Sequence, residues 1–436
     1  MISNVVRIRP HSKRSTGFRE SILDLQLLPL IGFCSLFFIS TFNLVNVELT
    51  ASKVTLDPQL MVKLAVVGLA GLYGAYGFLI DLRVRNTLLS MPGVLLFALC
   101  FVYLGAAFFG ISKVVSIVSS GAILCAVLAL TTFCVQHGRE KTIRMLFYSL
   151  GLFVVGSWLL FILVPQYGVF REPLPGGVFL ERMGGLSHPN TLGQYCAATI
   201  IFGACYWRTK IGNRKLIVAI VLLAVLALYF SLSRTSTAAA MGGVAIVFRD
   251  KIWTRQWITL GFTAAALGVF ALLIGSAFYN MEDRISNVAT SILSKSSESD
   301  SDELTTATGR SAIWAKTISL IQQRPLTGWG AGSSKELLSE YSLYTHNLIL
   351  NIWLSSGIFG GISILLLLGA MLLKTLTAPS MVPDSLIVFL FLNGLFENVI
   401  FSNVASAPTL LFVLAVIWRS VPKTSPDELE VEYDSA

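Results

Sequence analysis

Apolar runs close to the length that crosses a bilayer as a helix alternate along this chain with short polar and basic segments. They are read at about Leu25 to Val45, Met61 to Ile80, Pro92 to Phe109, Val115 to Cys134, Leu146 to Val164 and Thr191 to Trp207. The series continues at Leu216 to Leu232, Ser236 to Phe248, Ile258 to Tyr279, His346 to Leu373, Ser385 to Phe401 and Pro408 to Trp418. The pattern predicts an all-α polytopic membrane protein with about twelve transmembrane helices and one large outer loop between the ninth and tenth. The tenth run is too long for one straight crossing, and Gly357, Gly360 and Gly361 offer a place to bend after a stretch of outer-surface helix.

Within the long polar stretch, Ser294 to Leu304 is acidic, has almost no apolar residues to bury and reads as disordered. Beyond it, Trp314, Ile318 and Ile321 recur at helical spacing over Ser311 to Arg324, with Lys316, Gln322 and Gln323 elsewhere on the wheel. That is an amphipathic helix resting on the membrane domain, ended by Pro325. The organisation expected is a cytoplasmic basic N-terminus (1–24), nine helices (25–279), the outer loop (280–345), three helices (346–418) and a cytoplasmic tail (419–436).

Composition supports this reading. Of 436 residues 54% are hydrophobic and 13% charged, about half the roughly 25% of soluble domains, and the mean hydropathy is +0.73. The net charge of +8 does not point to nucleic acid, because the basic residues form short clusters between apolar runs. Arg7, Arg9, Lys13, Arg14 and Arg19 precede the first run and place the N-terminus in the cytoplasm. More than half of the 32 lysines and arginines then fall on that side, and both termini are expected there. The N-terminus lacks a convincing cleavage site, so the first helix reads as a retained anchor. The six cysteines lie in or beside apolar runs without a CxxC pair, which predicts neither a disulfide framework nor a zinc site.

With this topology the outer polar residues carry the chemistry. Glu181 to Gly193 reads ERMGGLSHPNTLG: Arg182 serves either a substrate or lipid headgroups, Gly184 and Gly185 permit close backbone approach, and Asn190 suits a helix cap. Arg234, in SLSRTST between two short helices, needs an anion, and either a lipid phosphate or a substrate phosphate supplies it. Arg310 follows Thr308 and Gly309 at a helix start, where free N–H groups and the dipole favour an anion; the alternative is a solvated arginine beside an acidic run. Of four histidines, His188 and His346 fall outside, and imidazole suits proton transfer near neutrality; a lone histidine is otherwise a structural residue. Glu397, inside the eleventh run with Asn393 and Asn398, is a functional carboxylate or the partner of one of these arginines. No P-loop and no HExxH is present, so metal-dependent glycosyl transfer lacks support. The toolkit of outer cations and imidazoles fits displacement of a pyrophosphate by a hydroxyl.

RMGGLSHPNTLG (182–193), SLSRTS (231–236), TGRSAIW with RPLTGWGAGS (308–333) and THNLILNIWLSSGIFGG (345–361) together resemble the bacterial O-antigen ligase and polymerase superfamily. That superfamily includes exopolysaccharide polymerases and protein O-oligosaccharyltransferases. The resemblance implies a multi-pass enzyme of the bacterial inner membrane. It would transfer a glycan from an undecaprenyl-pyrophosphate-linked donor to a hydroxyl of a glycan or lipid acceptor, with inversion and no metal or other cofactor. By position, Arg182, Arg234 and Arg310 would bind the pyrophosphate and His346 would be the base, while Asn190 and Asn347 belong to the matching motifs. Competing readings are a transporter or flippase, whose charges would line a cavity reachable from both faces, and a non-catalytic scaffold, which would not require His346.

Overall fold

A computed structural model of the chain describes residues 58–173, 179–209, 213–252, 310–340, 342, 344–398, 400–401 and 406–421. The first and ninth apolar runs, the acidic segment and both termini lie outside the described residues. The remaining runs become helices: α1 (Pro58–Ile80), α2 (Leu82–Leu88), α3 (Met91–Ala107), α4 (Lys113–Leu163), α5 (Pro165–Gly168), α6 (Pro189–Thr209), α7 (Arg214–Ser231), α8 (Arg234–Val247) and α9 (Arg249–Ile252). After the undescribed stretch come α10 (Arg310–Gln323), α11 (Ser334–Leu337), α12 (Leu348–Thr377), α13 (Met381–Gly394) and α14 (Ala407–Ile417). Among the described residues three helices, α4, α7 and α12, are long and apolar enough to cross a membrane. The pair Leu64–Ile80 and Leu82–Leu88, bent by 101°, adds a fourth if it is one span, and α3, α13 and α14 are shorter apolar helices. Leu222, Val225 and Leu226 on α7 and Leu365, Leu366 and Leu373 on α12 are exposed, as hydrocarbon-facing side chains are.

Local chemistry sets several of the boundaries. The Asp81 carboxylate accepts the backbone N–H of Arg83 at 2.9 Å and caps α2. Asn213 caps α7 by accepting from Lys215 and Leu216, and Asn347 caps α12 by accepting from Leu350 N–H at 3.0 Å. Helix α4 contains both the fourth and the fifth predicted runs. At about 1.5 Å per residue its 51 residues far exceed a ~30 Å hydrocarbon core, and the chain breaks at Gly138, where φ is +81°. The basic segment expected as a connecting loop is instead helical on both sides of that break. Glu140 pairs with Arg144 one turn on, and buried Arg139 donates to the Val421 carbonyl at 2.6 Å.

Two expectations are corrected. The described residues are not all helical: β1 (Val169–Pro173) and β2 (Phe179–Met183) pair antiparallel, with Phe170 opposite Arg182 and Arg171 opposite Glu181. In the sequence these five-residue strands read as a polar connection, because each is too short to show a clear two-residue period. The eleventh helix begins at Met381 and ends at Gly394, so Glu397 lies in a turn beyond it rather than inside a span. Asn347 explains the early stop, since its amide donates to the Leu395 carbonyl at 3.1 Å and satisfies an acceptor released by the unwinding.

The bend in α12 falls at Gly357, with φ +65°. The backbone groups freed there are taken up by the loop after α10. Trp329 and Gly330 N–H donate to the carbonyls of Leu354 and Ser355 at 2.8 and 2.9 Å, and Ile358 N–H donates to Pro325 O at 2.7 Å. A non-helical turn inside an apolar helix is tolerated when neighbouring protein supplies such partners. Helix α10 lies on this junction, burying Ile313, Trp314, Ile318, Leu320 and Ile321 with Leu350 and Leu354 of α12. The amphipathic helix therefore rests on the membrane domain as its periodicity predicted.

Contacts sort the helix ends into two groups. At one end Thr87 meets Ser420, Arg139 meets Val421, and Asp384 accepts from Arg249 at 2.9 Å and from Arg419. At the other, Ile111 N–H donates to Trp329 O and Ser116 Oγ–H to Ala331 O, and the segments carrying Arg182, Arg310 and His346 converge.

Candidate functional site

Glu397 is the hub of the second end. It is 5% exposed, and its Oε1 accepts from Arg310 Nη2 at 2.9 Å and from Asn190 Nδ2 at 3.0 Å, while Oε2 lies 3.2 Å from Nδ1 of His346. The three partners come from the starts of α10 and α6 and from the residue before the α12 cap, so one carboxylate gathers three of the four motifs. A buried carboxylate keeps its charge only with such company. Of the two readings open for Glu397, the arginine partnership is realised, with Arg310, and it also includes a histidine.

Arg182 joins the same network from β2. Its Nε–H donates to the Ser231 carbonyl at 2.9 Å, Nη1 to Glu172 Oε2 at 2.7 Å and Nη2 to Asn190 Oδ1 at 2.8 Å. Two of the guanidinium's five N–H groups thus tie the hairpin to the end of α7 and the start of α6, and a third bonds to Glu172 within the hairpin. The glycine pair after it serves close packing. Gly184 and Gly185 N–H both donate to Gly168 O at 2.9 Å, and at Gly185, φ +58°, a Cβ would sit 2.4 Å from that of Ser157.

His346 occupies a left-handed backbone conformation, φ +48°, uncommon for a residue with a side chain. Its surroundings hold it there: Trp314 Nε1 donates to the Thr345 carbonyl at 3.0 Å, and the Thr345 hydroxyl lies 2.7 Å from Asn398 Oδ1. A carboxylate oxygen only accepts, so Nδ1 of His346 donates to Glu397, and in the neutral imidazole Nε2 then presents a lone pair. The Oγ of Ser342 stands 3.1 Å from that Nε2. A carboxylate that fixes an imidazole tautomer and leaves Nε2 unprotonated to accept from a hydroxyl is the arrangement general-base catalysis uses.

His188 is peripheral. Its Nδ1 accepts from the Asn190 N–H at 3.3 Å and Phe170 packs edge-on at 4.7 Å. The residue is exposed, yet these neighbours crowd its ring. Desolvation first, then the Arg182 charge, pushes its imidazole below the ordinary value. Asn347 is buried and acts as the cap described above. Arg234 is exposed at the start of α8, three residues beyond the Ser231 carbonyl that Arg182 engages, and its side chain meets no partner among the described residues. Arg324 lies apart, over the Trp329 ring at 4.1 Å with Nη1 donating to Phe109 O. Arg171 pairs with Glu181 in solvent. Sequence reasoning missed Glu172, Ser231 and Ser342, since nothing in a polar loop or a helix-end carbonyl marks a partner far away in the chain. Among the described residues no cluster of three His, Cys, Asp or Glu could hold a metal ion.

Two comparisons bear on these residues. A family model described as O-antigen ligase matches residues 219–365, which include Arg234, Arg310, Ser342, His346 and Asn347 but not Arg182, Asn190 or Glu397. An O-antigen ligase of Salmonella typhimurium (strain LT2) is 28% identical over 177 residues, covering 37% of this chain and 42% of that relative's length.

Proposed function

We propose that this chain, whose resemblance to the O-antigen ligase and polymerase superfamily is borne out by the match over residues 219–365, is a glycosyltransferase of the bacterial inner membrane. It moves a glycan from an undecaprenyl-pyrophosphate-linked donor to an acceptor hydroxyl on the outer face. The end of the helix bundle that carries Arg139, Arg249 and Arg419 faces the cytoplasm, by the distribution of basic residues.

The observation that carries the reading is Glu397 holding His346 and Arg310 at once, which sets a base beside a phosphate-binding cation. In the reaction the acceptor O–H gives its proton to Nε2 of His346 as its oxygen attacks the anomeric carbon. The bond from that carbon to the pyrophosphate oxygen breaks with inversion, and the electron pair leaves with the lipid pyrophosphate. Arg310 and Arg234, which meets no partner among the described residues, stabilise the departing charge, with Arg182 holding the hairpin and Asn190 in place. A set of arginines and an imidazole, with the carboxylates Glu172 and Glu397 each held by an arginine, supports metal-independent chemistry. The test is purified protein with a lipid-linked donor and acceptor in chelator: His346→Ala and His346→Gln are both expected to lose most transfer, and a Gln variant with near-native turnover removes the base from the mechanism.

A further inference from the structure

Nε2 of His346, the atom that must receive the acceptor's proton, is already engaged. In the neutral imidazole that a base requires, with Glu397 holding the proton on Nδ1, the contact between Nε2 and Ser342 Oγ at 3.1 Å has the serine hydroxyl as donor. The Ser342 hydroxyl is itself aimed by backbone: its own N–H donates to Leu338 O at 2.8 Å, and the Tyr344 N–H donates to its oxygen at 3.3 Å. Both Ser342 and His346 are half-buried, so a substrate can reach them. The group on Nε2 is an aliphatic alcohol, the same chemical class as an acceptor hydroxyl.

We propose that Ser342 stands in for the acceptor hydroxyl, occupying the base in the resting site until a glycan or lipid alcohol displaces it. The inference rests on His346 being the base. Displacement leaves the reaction's balance intact: the acceptor's proton goes to Nε2, its oxygen bonds to the anomeric carbon, and the pyrophosphate leaves with the electron pair. Ser342 forms no covalent bond in this scheme. Its effect is to keep water from taking the acceptor's place, so that an undecaprenyl-pyrophosphate-linked glycan is not hydrolysed while the acceptor is absent.

Steady-state transfer is measured with a purified undecaprenyl-pyrophosphate-linked oligosaccharide and lipopolysaccharide core lacking O-antigen as acceptor, alongside donor hydrolysis without acceptor. Ser342→Ala removes the competitor, so kcat/KM for the acceptor should rise by on the order of 2–10-fold, the equivalent of one ordinary hydrogen bond, and acceptor-free hydrolysis should increase. Ser342→Thr keeps a hydroxyl and should stay near native on both measures. If Ser342→Ala does not fold, Ser342→Gly lacks the same hydroxyl and gives the same readout. A fall in acceptor kcat/KM on losing the hydroxyl, or unchanged hydrolysis, overturns the proposal, and a product with retained anomeric configuration would make Ser342 a nucleophile instead. His346→Gln in the same assay separates the two ideas. If it keeps transfer, the base reading fails; if it loses transfer while Ser342→Ala behaves as native, only the stand-in role fails.

Discussion

Glu397 and His346, 51 residues apart in sequence, meet with Oε2 of the carboxylate 3.2 Å from Nδ1 of the imidazole, and the carboxylate's other oxygen is shared by Arg310 and Asn190. Glu397 therefore sets the histidine's tautomer and the arginine's position together. Glu397→Gln, similar in shape but uncharged, is expected to lower transfer by about 10²-fold or more, in the range that general-base assistance contributes. Glu397→Ala should add a loss of stability, because Arg310 is left without its counterion. Transfer assays beside thermal unfolding in detergent check both, and native turnover in the Gln variant would break the link between the carboxylate and the base.

The arginines differ in what already holds them. Arg310→Ala and Arg234→Ala should each cost far more transfer than Arg324→Ala, since Arg324 is committed to the Trp329 ring and the Phe109 carbonyl. Lysine should rescue Arg310 poorly, lacking a planar fork able to serve Glu397 and a phosphate together. Equal and mild losses at all three positions would assign them to lipid headgroups.

The glycine at the break of α12 has no substitute. A Cβ at Gly357 would come 2.2 Å from the Leu326 carbonyl oxygen, in a backbone conformation with φ +65°. Gly357→Ala should cost several kcal/mol, combining strain of about 1–3 kcal/mol with the clash. At Gly369, in the same helix, a Cβ meets nothing within 4 Å, and alanine should be tolerated. The difference in thermal midpoint between the two variants is the measurement, and equal midpoints would contradict the packing described.

Membrane orientation is tested with single cysteines in a background lacking the six native ones. Ser339, exposed beside the site, should react with an impermeant thiol reagent from outside the cell, and Arg83, exposed at the other end, only after the inner face is opened. Labelling of both from outside would invert or discard the topology.

Helices were the legible part of this chain because their signal is local. The second run, read from Met61 to Ile80, is a helix over Pro58–Ile80, and the seventh, read from Leu216 to Leu232, is one over Arg214–Ser231. Arg182, Arg310 and His346 could be singled out because each is a polar residue at the border of an apolar run. What joins them could not. The bond from Asn190 to Glu397 spans 207 residues, and the turn carrying Glu397 was hidden by Leu395, Phe396 and Ile400, which prolong the apolar pattern past the point where the helix stops. Asp384 went unnoticed for a related reason: a single carboxylate in the run Met381 to Leu392 looks like a helix boundary, yet it is fully buried between Arg249 and Arg419.

The exchange of backbone hydrogen bonds at Gly357 has a mechanical consequence. Arg310 begins the helix whose trailing loop is stitched into the middle of α12, and His346 stands just ahead of the other end of that same half of α12. Helix, loop and half-helix close a brace whose two tips are the cation and the imidazole, and Glu397, from outside the brace, joins the tips. Residues 310–358 should accordingly transplant between relatives only together with the turn that carries Glu397. Exchanged with that turn the brace carries its geometry along, while a crossover between Pro325 and Gly357 cuts it and separates the tips.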